Sequence, residues 1–187
     1  MKLEHIKIGE FEVTGNVLTI SDPCYEPGTW CMGEILDAKP GVWEAHIGMC
    51  HDKRWGDRVA YLAAYHKDCP DKKLLTEYPA PFEVGVDSGQ AGIFDHVHYQ
   101  DASVVAPVPD PIDDKDSWYS ACCHQTLKTE HQAGVIPYGV VSSSGMGDGG
   151  YDCHFYAAGE GQDFTVWGVM IDFDLVKMRK IMEQLLK

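Results

Sequence analysis

The sequence predicts an α+β chain dominated by antiparallel strands, folded as a single-domain sandwich or partly open barrel with a C-terminal helix. Three observations carry that expectation. Short segments alternate apolar and polar residues, glycine, proline, asparagine and aspartate punctuate them at regular intervals, and only two segments show helical periodicity. The 187 residues suit one domain, 1–187, and 44% hydrophobic with 24% charged residues is ordinary for a packed globular chain.

The elements follow in order. In FEVTGNVLTISD, Phe11–Val13 and Val17–Ile20 flank Gly15-Asn16, the pair that suits a two-residue hairpin turn with positive φ. Asp22-Pro23 ends the second strand, because proline removes a donor and holds its predecessor extended. GVWEAHIGMCH places Trp43, Ala45, Ile47 and Met49 on one face. DRVAYLAAYH does the same with Val59, Tyr61, Ala63 and Tyr65. PFEVGV and AGIFDHVHY read as strands, and GVIPYGVVSS, YDCHFYAA and DFTVWGVMIDF as a three-strand meander. Ser117 would cap a helix from Trp118 to about Glu130. Asp174 would cap a second, with Leu175, Met178, Ile181, Met182 and Leu185 on its core face. The proline- and charge-rich segments 66–81 and 106–117 read as surface loops. No internal repeat is visible.

Charge excludes some partners. The formal net charge of −14, from 29 acidic and 15 basic residues, disfavours nucleic acid and anionic membrane and fits, if anything, a basic protein partner. No stretch reaches the roughly 18 apolar residues of a membrane span, and the N-terminus lacks a signal-peptide core. Seven cysteines without a Cys-x-x-Cys spacing argue against a disulfide framework. A soluble, reduced, cytoplasmic protein is expected.

Three loops hold the candidate site residues. SSSGMGDGGYD (142–152) contains Gly-x-Gly-x-x-Gly at Gly145, Gly147 and Gly150. A dinucleotide fingerprint needs a helix after it, and a strand follows here; a Walker-type loop needs a lysine that is missing. The glycines instead permit close backbone approach and free N–H groups, so Ser144, Gly145, Gly147, Asp148, Gly149 and Tyr151 become candidate ligand contacts. TISDPCYEPGTWC (19–31) contributes Ser21, Asp22, Tyr25 and Trp30, the aromatics as a stacking wall. An Asx-turn alone would also explain Asp22. VDSGQAGIFD (86–95) contributes Asp87, Ser88 and Gln90. Asp22, Asp87, Ser88 and Asp148 are the candidate catalytic groups, since paired carboxylates serve acid–base chemistry or bind a divalent ion. No cysteine–histidine spacing matches a zinc pattern. His96 and His98, two apart on a strand and so on one face, are the residues that would chelate if a metal bound.

The strings SDPCY, VDSGQAGIFD and SSSGMGDGGYD, in this order, resemble a bacterial and phage family of soluble proteins, domain of unknown function 4241, over about residues 17–173. The resemblance implies that the three loops belong together and supplies no catalytic residue. The resulting expectation is a small-ligand-binding protein whose polar pocket the three loops share, one version being a phage-type sequestering protein for a nucleotide-like signal. The alternatives are an aspartate-dependent hydrolase, with or without a divalent metal, and an acidic protein-interaction or inhibitor module.

Overall fold

The computed structural model describes residues 2–70, 72, 80–112 and 116–175. Within them lie eleven strands: β1 Lys2–Val13, β2 Val17–Ser21, β3 Gly33–Leu36, β4 Gly41–Asp52, β5 Gly56–His66, β6 Phe82–Val86, β7 Gln90–Asp95, β8 Ala133–Ile136, β9 Gly139–Ser143, β10 Gly149–Ala158 and β11 Thr165–Asp172. One α-helix, α1, covers Ser117–Leu127. The strands form two sheets, ordered β1-β4-β5-β11-β10-β6 and β3-β2-β7-β9-β8, with every ladder antiparallel. Neither sheet closes on itself, so the architecture is an α+β sandwich, the first of the two expected forms.

The inner faces meet in one apolar core. Trp43, Ala45, Ile47, Leu62, Ile93 and Val169 are completely buried in it, as the alternation of β4 predicts. Each large side chain removed from water contributes on the order of 2 kcal/mol. Gly33 marks where the sheets close at one side, because a Cβ there would lie 1.9 Å from the Phe82 ring. A third layer, α1, rests on β8 and β9, where Trp118, Ala121 and Cys122 cover Phe94 and Val141.

With β8 set aside, both strand orders are symmetric. Exchanging β1–β5 with β6, β7, β9, β10 and β11 reproduces the pairings: β1 and β6 are the two edges of the larger sheet, β5 pairs with β11, and β2 pairs with β7. The registers agree residue by residue. Phe11 faces Trp43 and Val13 faces Gly41; in the other half Val84 faces Tyr151 and Val86 faces Gly149. Ile20 pairs with Ile93, and Ala63 with Met170, which puts an approximate two-fold axis through both pairs. The chain therefore folds as two copies of one five-strand unit, a repeat invisible in the residues themselves. Only the second copy carries a long insertion, residues 96–138, which contains α1 and β8; the first has the loop 22–32 in that place.

Four local expectations change. β1 and β2 do not form a hairpin, since β1 pairs with β4 in one sheet and β2 with β3 and β7 in the other. Thr14–Asn16 is a crossover between sheets, and the buried Asp95 carboxylate holds it by accepting from Thr14 N–H (2.9 Å), Thr14 Oγ1 (2.5 Å) and Gly15 N–H (3.3 Å). On β5 a bulge at Ala60 switches faces, so Val59 joins the core while Tyr61, Ala63 and Tyr65 pack on the outer face with Met170. The expected meander divides: GVIPYGVVSS is itself the β8–β9 hairpin of one sheet, whereas β10 and β11 pair in the other. α1 begins one residue earlier than expected at its cap, with Asp116 Oδ1 accepting from Tyr119 N–H at 2.8 Å, and ends at Leu127. The expected C-terminal helix, beyond Leu175, lies outside the described residues, as does most of the middle of loop 66–81. No helix among the described residues is long and apolar enough to cross a membrane.

Candidate functional site

The site grows from the end of β2. Pro23 stops the strand, and Tyr25 N–H donates back to Asp22 O (3.2 Å) in a turn with proline at its second position. The Asp22 side chain is completely buried. Its Oδ1 accepts from Cys24 N–H (2.9 Å), which is the Asx-turn, and from Ser88 Oγ (2.6 Å). Its Oδ2 reaches across to Asp87 N–H (2.8 Å) and Ser88 N–H (2.6 Å). Four donors surround this carboxylate, and among the described residues no cation lies within ion-pair distance of it. Charge-assisted bonds of that number offset the cost of taking it out of water. Segment 86–90, the crossover from β6 to β7, is thereby fastened to the end of β2.

The neighbours complete the fastening. Tyr25 OH donates to Asp87 Oδ2 at 2.7 Å, and Tyr99 OH donates to Tyr25 O at 2.8 Å. Burial, then the hydrogen bond to Asp87, holds the Tyr25 phenol above its ordinary pKa. Burial, and next the hydrogen bond to Asp22, pushes the Cys24 thiol up to about 12, so Cys24 is no thiolate nucleophile at neutral pH. Ser21 is buried, its Oγ donating to Asp22 O at 2.7 Å.

A cavity of about 460 Å³ opens beside this segment. Ser88, Gly89 and Gln90 form one wall, α1 forms the other with Tyr119, Cys123, Thr126 and Leu127, and Arg58 and Ile112 stand at the margin. Those four helix positions fall at i, i+4, i+7 and i+8, one face. Gln90 is anchored from both ends: Thr126 Oγ1 donates to its Oε1 (2.8 Å), and its Nε2 donates to Cys123 Sγ (3.4 Å). Burial first, then the hydrogen bond with Cys123, pushes the Tyr119 phenol up to about 12, so it remains a protonated donor. Arg58 donates to the Asp57 carbonyl at 3.2 Å, and among the described residues no carboxylate lies within ion-pair distance of it.

The predicted residues separate. Asp22, Tyr25, Asp87 and Ser88 come together, with Ser21 beneath; Ser88 and Gln90 reach the cavity. The glycine loop touches this group through Ser144 N–H, which donates to Gly89 O at 3.0 Å, and through the Gly149–Val86 pair. Otherwise it is closed on itself. Gly147 N–H donates to Ser144 O, and Tyr151 OH donates to both Ser144 O (3.0 Å) and Gly147 O (2.7 Å). Gly145 takes φ +60°, and a Cβ there would stand 3.0 Å from Phe173 Cβ and 3.2 Å from Val59 O, so a side chain would be both strained and crowded. Asp148 is exposed. Trp30 is 93% exposed and is not part of this cavity's wall. His96 and His98 lie in a 3-10 turn rather than a strand, so they do not share a face; His96 Nδ1 bonds Thr19 Oγ1 (2.9 Å) while His98 stacks on Tyr138. Sequence reasoning missed Arg58 and the helix face, although the spacing of Tyr119, Cys123, Thr126 and Leu127 would have revealed the latter.

No protein-family profile, curated protein or solved structure matches this chain. The resemblance to domain of unknown function 4241 thus rests on the three quoted strings alone.

Proposed function

We propose that the protein binds a small molecule carrying an anionic group and several hydrogen-bonding groups, held between segment 88–90 and α1. One observation carries this reading: the wall built by Ser88, Gly89 and Gln90 is fixed from behind by Asp22 and faces Arg58, a cation without a carboxylate partner among the described residues. The volume is in the range of small-molecule pockets, on the order of 300–1,000 Å³. The protonated Tyr119 phenol and one guanidinium suit a carboxylate or phosphate, and the exposed Ile112 and Leu127 offer an apolar edge for the rest of the molecule. A nucleotide-like signal is one ligand of that description. The aspartate-hydrolase alternative is less well supported, because Asp22 already commits both oxygens to protein donors.

Native mass spectrometry of the freshly purified protein tests the reading. The expected result is an adduct of a few hundred daltons, released intact on denaturation and absent from Arg58→Gln. Bare protein at every collision energy, together with no response to millimolar phosphate or carboxylates, would contradict it.

A further inference from the structure

The two-fold relation between the halves exposes a second site. β6 and β1 are equivalent edge strands, and Gly85 on β6 holds the place that Glu12 holds on β1. Gly85 points its N–H off the sheet edge, where the Cys31 carbonyl of the loop before β3 accepts it at 3.0 Å. One half of the molecule thus seats a stretch of its own chain against its outer edge. At Glu12 no such stretch is present: no backbone group of the described residues accepts from its N–H.

A groove of about 550 Å³ opens at that place. Its far wall is β8, also an edge strand. The turn after Ile136 and the bond from Ser143 N–H to Gln132 O set the β8 pairing, so Val135 directs its own N–H and C=O away from β9. The groups of Ala133 that point the same way are taken by Thr129 Oγ1, at 3.2 and 2.9 Å. Those of Val135 have no backbone partner among the described residues. Phe11, Ile136 and the Tyr138 ring line the groove between the edges, and Glu10 and Glu12 stand on its rim. Glu10 is paired with Lys7 at 2.7 Å, whereas Glu12 has no lysine or arginine within ion-pair distance among the described residues.

We propose that this groove docks an extended peptide segment of a partner protein, with apolar residues alternating with lysine or arginine. Its carbonyl accepts from Glu12 N–H as Cys31 O does from Gly85, its apolar side chain enters against Phe11 and Ile136, and its cations meet Glu12 and Glu10. Main-chain bonds supply affinity in this kind of strand addition, and side-chain pockets supply selectivity. Across the net charge of −14, a basic partner is also steered in rather than repelled.

The probe is the blocked peptide acetyl-Lys-Val-Lys-Val-Lys-amide, titrated into the ¹⁵N-labelled full chain at low salt. The groove predicts saturable shifts at the Glu12 and Val135 amides. It predicts binding about tenfold weaker for the Glu-Val-Glu-Val-Glu analogue and for Glu10→Gln/Glu12→Gln, whose altered side chains are exposed and leave folding intact. Backbone N-methylation of the lysine peptide should weaken it comparably, with the protein unaltered. Shifts scattered over the acidic surface, equal binding of both peptides, indifference to N-methylation, or the same shifts with n-butylammonium would each overturn the proposal.

Discussion

Asp95 and Asp22 hold equivalent places in two copies of one unit, and they differ most in what lies in front of them. Each stands at the end of a central strand, β7 or β2, and each is completely buried, with no ion-pair partner among the described residues. Each grips the crossover that leads into the other's strand: Asp95 takes Thr14 N–H and Gly15 N–H, Asp22 takes Asp87 N–H and Ser88 N–H. Both also take a crossover hydroxyl, Thr14 Oγ1 or Ser88 Oγ. The first crossover looks outward to solvent, with Thr14 and Asn16 exposed. The second is roofed by α1 from the insertion, and the space left under that roof is the cavity. A crossover clamp that faces solvent in one half stands, in the other, behind the wall of a cavity.

The largest expected effect strikes both halves alike. Asp22→Asn and Asp95→Asn each set an amide N–H₂ against buried donors, which costs about 3 kcal/mol or more. Urea unfolding should show midpoints lowered in both, and more in Asp22→Asn, where the N–H₂ displaces two donors whichever oxygen it replaces, whereas in Asp95→Asn it can replace Oδ1 and displace only Gly15 N–H. A silent Asp95→Asn would break the parity between the crossovers.

The next effect separates the halves. At a temperature where both variants are folded, Asp95→Asn should retain any bound small molecule and Asp22→Asn should lose it. Arg58→Gln should weaken binding about tenfold with little change in the urea midpoint, as expected when a charge-assisted contact to an anion is removed. Equilibrium dialysis against the released molecule measures both. A fall in stability as large as the fall in affinity would instead place Arg58 in the framework.

Thiol chemistry reads the Asp22 node from outside. Cys24 is raised by burial first and by the Asp22 hydrogen bond and charge next, so at pH 8 it is almost wholly thiol. Its alkylation by iodoacetamide should be far slower than that of a free peptide cysteine. Asp22→Asn removes the carboxylate contribution, lowers the thiol pKa and should speed the reaction severalfold. The smallest effect belongs to Tyr25→Phe, which deletes one largely exposed bond to Asp87 and should cost less than about 1 kcal/mol.

The fold was legible where alternation is strong. Trp43, Ala45, Ile47 and Met49 could be placed on the core face because a period of two has no other reading over that length. Gly15-Asn16 misled because its turn chemistry is local, whereas the choice between hairpin and crossover is made by Asp95, far along the chain. The bulge at Ala60 left no signature, since every residue near it is apolar. The two-fold repeat was hidden for a similar reason: Thr14 and Gly15 correspond to Asp87 and Ser88, and what they share is backbone N–H groups, which every sequence has. In the site, VDSGQ and SDPCY were rightly taken together. The excess of glycine at 145–150 points to a ligand, yet in the structure it accommodates the positive φ of Gly145 and Gly147 and the turn closed by Tyr151. Arg58 carried no signal, because a single arginine on a strand edge is unremarkable until the cavity beside it is seen.

The most direct test of the account compares the two crossovers in one sample. Inorganic phosphate titrated into ¹⁵N-labelled protein, read by amide shifts, samples both at once. The account predicts saturable movement of Ser88, Gly89, Gln90 and the Tyr119–Leu127 face of α1, with Thr14, Gly15 and Asn16 unmoved. Equal movement at both crossovers, movement at Thr14–Asn16 alone, or no movement at either would contradict it.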